Sequence, residues 1–223
     1  MNSTIFFSVC SLFYCVLLIV TLYKRKEKND AENKLLKILA FFNLGNLLCE
    51  VIGIFLGKNY ESFGLLNDIS LRLMLVLYIA WFSFFGVFVL NVSKKEKKFT
   101  FKNNIYVYVF MIIVCIVDIF LPINYITNAD GVIIYSTGMA VQIVYYYVML
   151  CEVMCLFVMF KNYKTTKISN YTALFALVIL STLSAAIQSY YPSILLTAST
   201  ETFVLYIAYI NIRNKQIDTK GEK

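Results

Sequence analysis

Long apolar stretches alternate with short polar segments over the whole chain. Seven stretches can be delimited: Ile5 to Tyr23, Leu35 to Leu56, Ile69 to Val92, Ile105 to Leu121, Ser136 to Phe160, Tyr171 to Tyr190 and Ser193 to Ile212. The hydrocarbon core of a bilayer is about 30 Å thick and needs about 20 helical residues, so each stretch spans it or nearly does. The pattern predicts an all-α, polytopic membrane protein with seven transmembrane helices in one membrane domain, residues 1–212, followed by a short basic tail, residues 213–223.

The basic residues fall in alternate gaps between the stretches. Of the 20 lysines and arginines, all but Lys58 and Arg72 lie after stretches one, three and five or in the tail. Lys and Arg in short loops are retained on the cytoplasmic side of a membrane. The sequence therefore predicts an N-terminus outside the cell and a cytoplasmic C-terminus.

Composition narrows the classes of protein that fit. Hydrophobic residues make up 60% of the chain and charged residues 15%, which argues against soluble domains. The net charge of +7 comes from lysines beside helix ends, where they contact lipid headgroups, so no nucleic-acid partner is expected. The first stretch lacks a preceding basic segment and is interpreted as a retained anchor of the cell membrane, not a cleaved signal peptide.

The sequence shows no catalytic or cofactor motif. The chain has no histidine, which excludes histidine-bound haem or zinc and Ser-His-Asp catalysis within it. No lysine lies in stretch seven, which excludes a retinal-type Schiff base there. All six cysteines lie inside the stretches, and the pair Cys151 and Cys155 lacks further ligands at a metal-binding spacing. We therefore predict neither cofactor, metal nor enzymatic activity.

Ionisable residues inside the stretches are the strongest candidates for a functional site. They are Glu50, Arg72, Asp118, Glu152 and Glu201. A charge in hydrocarbon is costly, so such residues face the bundle interior, a partner or a water-filled cavity. With the predicted topology, all except Glu152 lie in the outer leaflet. For Glu50, Arg72 and Glu201, an outward-opening polar cavity and a purely structural ion pair are equally compatible with the pattern, whereas Asp118 lies close enough to the interface for hydration alone to explain it.

Polar and aromatic side chains extend this candidate site. Stretch two carries a polar, small-residue face, and stretch six carries Ser181, Ser184 and Gln188 at helical spacing. Trp81 belongs to an aromatic flank of stretch three, for which packing is the simpler explanation. The predicted ligand-binding residues are Glu50, Arg72, Glu201, Asp118, Gln188, Asn46 and Trp81.

Three short segments carry a resemblance to a known family. They are Arg72 to Trp81 (RLMLVLYIAW), Tyr190 to Leu196 (YYPSILL) and Asn211 to Thr219 (NIRNKQIDT). With the seven-stretch layout, they resemble the seven-helix sensor regions found ahead of histidine kinase or diguanylate cyclase domains in low-GC Gram-positive bacteria. The resemblance implies a homodimer and a helix that leaves the last span toward an output domain, here a cytoplasmic signalling partner or a domain outside this sequence.

The leading hypothesis is an integral-membrane receptor or sensor module. Its ligand, a small molecule or peptide that is extracellular or dissolved in the membrane, would bind among the outer halves of the helices and shift stretch seven. The alternative is a small transporter or flippase, although internal repeats and Gly/Pro-broken helices are missing. An intramembrane enzyme using Asp118, Glu152 or Glu201 is a third hypothesis, but no two of these carboxylates have a catalytic spacing.

Overall fold

The computed structural model describes residues 2–24, 31–94, 104–129, 131–162, 168–191 and 195–221. Over these ranges the chain forms α1 (Asn2–Lys24), α2 (Ala31–Gly57), α3 (Tyr60–Lys94), α4 (Ile105–Phe120), β1 (Asn124–Thr127), β2 (Ile133–Thr137), α5 (Met139–Lys161), α6 (Ile168–Tyr190) and α7 (Thr197–Gly221). Each apolar stretch corresponds to one helix. Pro192 of the YYPSILL segment and most of the loop lysines lie outside the described residues.

Four of these helices, α1, α2, α3 and α5, are long and apolar enough to cross a membrane. These helices are counted among the described residues. Helix α4 has 16 residues, and the part of α6 with described side chains, Leu174–Tyr190, is similarly short. Helix α7 extends into the polar tail. The mostly helical, membrane-type character expected from the sequence is thus observed.

Several helix boundaries differ from the predicted stretches. Helix α3 starts at Tyr60, nine residues before the predicted start at Ile69, and Phe63 has non-helical angles (φ −127°, ψ 22°) that mark a kink. The sequence did not predict this N-terminal extension of α3, because polar residues before Ile69 interrupt the apolar stretch. Stretch five was expected to begin at Ser136, but that residue belongs to β2. Helix α7 continues past Ile212 to Gly221 without interruption, so the tail begins as a continuation of the last helix.

Helix α3 forms the centre of the bundle. Of its most apolar 18-residue window, 67% is buried, compared with 22% for α1. It packs against α2, α4 and α5, while α2 also contacts α1 and α7. The largest fully buried side chains include Trp81, Phe82 and Phe85 of α3. Helix α1 lies at the periphery and exposes Phe6 and Phe13, as expected for a helix that faces lipid.

The segment between α4 and α5 forms an antiparallel β-hairpin, which departs from the all-α prediction. Strand β1 pairs with β2 from Asn124 opposite Thr137 to Thr127 opposite Ile133. In the turn, the side-chain oxygen of Asn128 accepts a hydrogen bond from the Val132 N–H at 2.8 Å. The segment is too short for a domain, but local turn chemistry and strand pairing give it a defined structure.

Candidate functional site

A partly open cavity of about 160 Å³ lies at the end of the bundle that carries the hairpin. Its walls come from the C-terminal half of α2, the part of α3 up to Phe82, the first turns of α5, the last turns of α6, the start of α7 and both strands of the hairpin. Gly57 of α2 packs against the hairpin, since a Cβ built on it would lie 3.4 Å from Ile133 Cβ. The hairpin therefore forms part of the cavity wall.

The cavity lining is mainly apolar, with a few polar groups. Aliphatic side chains from α2, α3, α5 and α6 supply most of it, and five aromatic residues join them: Tyr78, Phe82, Tyr125, Tyr135 and Tyr145. The polar residues of the lining include Glu50, Asn67, Gln188 and Thr197. Among the described residues of the wall, Glu50 is the only one with a carboxyl group, and none is a lysine or arginine. This composition matches that of small-molecule sites, which combine apolar walls with few polar groups.

Glu50 lies on the polar face of α2 and is only 3% exposed. Ser8 of α1 donates a hydrogen bond to its Oε1 atom. Because a carboxylate offers about four acceptor positions, this bond leaves capacity for another donor. Glu50 thus connects the peripheral helix α1 to the cavity wall.

The face of α2 that carries Glu50 also binds helix α7, through residues closer to the N-terminus of α2. Asn46, one turn before Glu50, donates from Nδ2 to Glu201 Oε2 at 3.3 Å. A further turn away, Asn43 donates from Nδ2 to Thr202 Oγ1 at 2.8 Å. All of these residues are buried. The polar stripe that the sequence indicated is therefore the contact surface between α2 and α7, with its upper end in the cavity.

Gln188 lies in the cavity wall and also joins α6 to α7. Its Oε1 atom accepts hydrogen bonds from the backbone N–H groups of Leu196 (3.1 Å) and Thr197 (2.9 Å) and from Thr197 Oγ1 (2.6 Å). The first N–H groups of a helix have no partner within it, so a side-chain acceptor there stabilises the helix start. Gln188 thereby fixes the N-terminus of α7 beside the cavity.

Arg72 and Asp118 form a separate group at the end of α4. The Arg72 guanidinium donates to the carbonyl oxygens of Asp118 (3.3 Å), Ile119 (2.8 Å) and Leu121 (3.2 Å). The C-terminal carbonyls of a helix lack partners within it and carry partial negative charge, which a cation stabilises. Asp118 is fully buried nearby, and its side-chain oxygens have no hydrogen-bond partner among the described residues. Arg72 and Asp118 do not line the cavity.

Trp81 lies one layer behind the cavity wall. Its ring stacks on the ring of Phe85, with 5.1 Å between the ring centroids, and makes an edge-to-face contact with Phe82, with 4.9 Å between the centroids. Phe82 lines the cavity, whereas Trp81 is fully buried in the core. Trp81 therefore supports the position of Phe82.

Glu152 lies in α5 outside the cavity lining. Its Oε1 atom accepts a hydrogen bond from Ser181 of α6 at 2.7 Å. This pair joins two neighbouring helices through buried groups. Within the described ranges, no three Cys, Asp or Glu side chains are grouped in a way that could hold a metal ion.

The hairpin is attached to α3 through Tyr125. Its hydroxyl donates a hydrogen bond to Asp68. Burial, and next the hydrogen bond to Asp68, raise the pKa of the Tyr125 hydroxyl above its ordinary value. The hydroxyl therefore stays protonated and keeps its role as donor over the physiological pH range.

The seven candidate residues thus fall into distinct positions. Glu50 and Gln188 line the cavity, and Trp81 packs behind its wall. Asn46, one turn from Glu50, is hydrogen-bonded to Glu201. Arg72 binds backbone carbonyls at the end of α4, including that of Asp118. Sequence reasoning missed Asn67 and the β2 residues Ile133 to Ser136, which line the cavity as well. Asn67 lies before the predicted start of stretch three, and strand pairing in a short outer segment gives no periodic signal. Comparisons with protein-family models and with curated proteins give no match to this chain.

Proposed function

We propose that this chain is an integral-membrane receptor module that binds a small ligand in the cavity and transmits binding through α7. In this proposal all seven helices cross the membrane, the N-terminus is outside, and the cavity faces the outside of the cell. The observation that carries the proposal is the polar face of α2, which places Glu50 in the cavity wall and, one turn away, Asn46 in a hydrogen bond to Glu201 of α7.

The placement of basic residues supports this orientation. Helices α1, α3 and α5 end in Lys24, Lys94 and Lys161. The cavity, with Gly57, Gln188 and the hairpin, lies at the other end of the bundle from these lysines. Because lysines are retained on the cytoplasmic side, the cavity belongs to the outer leaflet.

Transmission follows from the two connections to α7. Gln188, in the cavity wall, accepts hydrogen bonds from the start of α7. About one turn further along α7, Glu201 and Thr202 accept hydrogen bonds from the polar stripe of α2. A ligand that changes the position of α2 or α6 changes the position of α7, whose helix runs on through Arg213 toward a cytoplasmic partner. A coupling free energy of about 1 to 3 kcal/mol is sufficient for such a receptor.

Filling the cavity tests the proposal. Gly53 lines the cavity, and a Cβ built on it meets nothing within 4 Å, so Gly53→Phe places a ring in the empty space. The measurement is thermal unfolding of the purified protein in nanodiscs against a panel of small, mostly apolar molecules. A ligand at 100 times its Kd stabilises the protein by about 2.7 kcal/mol. We expect Gly53→Phe to remove this stabilisation.

Gly86→Ala is the matched control. Gly86 lies in α3 outside the cavity lining, and a Cβ there meets only Cys155 Sγ at an ordinary 3.9 Å. This variant should keep the ligand response of the wild type. Ligand binding that persists in Gly53→Phe contradicts the proposed site. Uptake of the ligand into proteoliposomes that contain the protein contradicts a receptor and favours a transporter.

A further inference from the structure

We infer that the ligand of the cavity is a small organic cation: one amine group on an apolar body about the size of a single aromatic ring. The inference rests on the proposed function, because it assigns a ligand class to the same cavity. Charge, aromatic lining and volume each support it.

The charge of the wall favours a cation. Glu50 is an acid, and the hydrogen bond from Ser8 fills one of the about four acceptor positions of a carboxylate, which leaves positions for an ammonium group. None of the described wall residues is a lysine or arginine that would neutralise it. Arg72, which the sequence predicted to belong to the same candidate site, is bound to the carbonyls at the end of α4 instead. An anionic ligand would find no counter-charge among the described wall residues, in a site whose low dielectric disfavours an unpaired charge.

The aromatic residues of the wall favour the same class. Five aromatic side chains, four of them tyrosines, line a cavity of small volume. Aromatic rings attract ammonium groups through their quadrupole, and cages of such rings are a recurrent means of binding organic amines. Tyr78 and Phe82 lie in the deeper part of α3, and Tyr145 faces the same space from α5.

The volume limits the size of the ligand. An engineered apolar cavity of about 150 Å³ in another protein accommodates benzene. The cavity described above, at about 160 Å³, therefore takes one ring or a comparable aliphatic group with a short amine substituent. A folded peptide does not fit within it.

Three probes with the same body and different charge test the ligand class: benzylamine, benzyl alcohol and benzoate. Binding is measured by calorimetry on the full chain in nanodiscs at pH 7. A hydrogen bond to a charged group contributes about 1.5 to 3 kcal/mol, so benzylamine should bind on the order of tenfold or more tightly than benzyl alcohol. Benzoate should bind most weakly of the three.

Two glutamate variants locate the charge preference. Glu50→Gln keeps an acceptor for Ser8 but removes the carboxylate, and should reduce the preference for benzylamine over benzyl alcohol by on the order of tenfold. Glu152→Gln is the matched control, since Glu152 is a buried, hydrogen-bonded glutamate outside the wall, and should keep the wild-type preference. If Glu50→Gln does not fold, Tyr145→Phe and Tyr145→Leu replace it: loss of benzylamine preference only in Tyr145→Leu supports the aromatic contact.

The outcomes separate the ligand class from the proposed function. Equal binding of benzylamine and benzyl alcohol, abolished in Gly53→Phe, overturns the cation assignment but leaves the cavity as a binding site. A benzylamine preference that is as large in Glu50→Gln as in the wild type also overturns it. If none of the probes binds to the wild type, the ligand class is wrong, and the wider panel with Gly53→Phe decides the proposed function.

Discussion

At the scale of single residues, the polar groups of the spans serve different purposes that depend on their contacts. Glu50 lines the cavity, while Arg72 binds the backbone at the end of α4. Both were equally plausible ligand contacts in the sequence, because both cost free energy in hydrocarbon. The structure separates them through the position of α4, whose last turn ends beside Arg72.

Arg72 provides a prediction at this scale. Arg72→Ala leaves several α4 carbonyls without their donor and should lower the free energy of unfolding by about 2 kcal/mol. Arg72→Lys retains the charge but not the planar fork, so it should lower that free energy by less. Unfolding in mixed micelles measures both. An unchanged stability of Arg72→Ala would show that these bonds do not hold α4 in place.

At the scale of helices, the contact between α2 and α7 depends on amide and hydroxyl groups. Asn43 and Asn46 reach Thr202 and Glu201 from successive turns of one helix face. Polar pairs of this kind hold transmembrane helices together where apolar side chains gain nothing over lipid. Gly45 on the same helix lets α3 approach closely, since a Cβ on it would lie 3.0 Å from Leu77 Cδ1.

A double-mutant cycle tests the α2–α7 contact. Asn43→Ala and Thr202→Val, alone and together, should reveal a coupling energy of about 0.6 kcal/mol, with about 1.7 kcal/mol as the upper limit for membrane helices. The quantity to measure is the free energy of unfolding of the four proteins. Additive effects would mean that the two side chains do not interact in the folded protein.

The hairpin gives a second prediction at the scale of elements. Gly138 has φ 111° and ψ 178°, a conformation nearly restricted to glycine, and a Cβ there would lie 2.7 Å from the Pro122 carbonyl oxygen. Gly138→Ala should therefore destabilise the hairpin by about 3 kcal/mol. Proteolysis of the segment in nanodiscs measures this change.

Gly131→Ala is the control for the hairpin prediction. Gly131 has φ 75°, but a Cβ on it meets nothing within 4 Å. Only backbone strain of about 1 kcal/mol is expected there. Equal proteolysis rates in the two variants would contradict the close approach at Gly138.

At the scale of the whole molecule, the proposed topology places the lysines and the cavity on opposite sides of the membrane. Helix ends with lysines lie at one end of the bundle, and the hairpin and cavity lie at the other. The proposal that the cavity receives external ligands requires that the hairpin end be outside. Orientation is therefore the property of the molecule on which receptor function depends.

Two reporters test that orientation. A short epitope inserted after Ala129 in the hairpin turn should be labelled by antibody in intact cells. A fluorescent protein fused after Lys223 should fluoresce, as it does only when it remains in the cytoplasm. If the hairpin were labelled only after permeabilisation, the orientation would be the reverse of the proposed one, with the cavity on the cytoplasmic side.

The sequence alone determined the helical, membrane-type character of the chain and the positions of seven helices, because hydrophobic length and charge placement act locally along the chain. It also indicated the polar face of α2, because helical spacing is a local property. Tertiary structure decided where that face leads: to α7 through Asn46 and Glu201, and to a cavity through Glu50. It also decided that Arg72 binds α4 and that β2 closes the cavity wall. These contacts join residues far apart in the chain, and only the packing of helices brings them within reach.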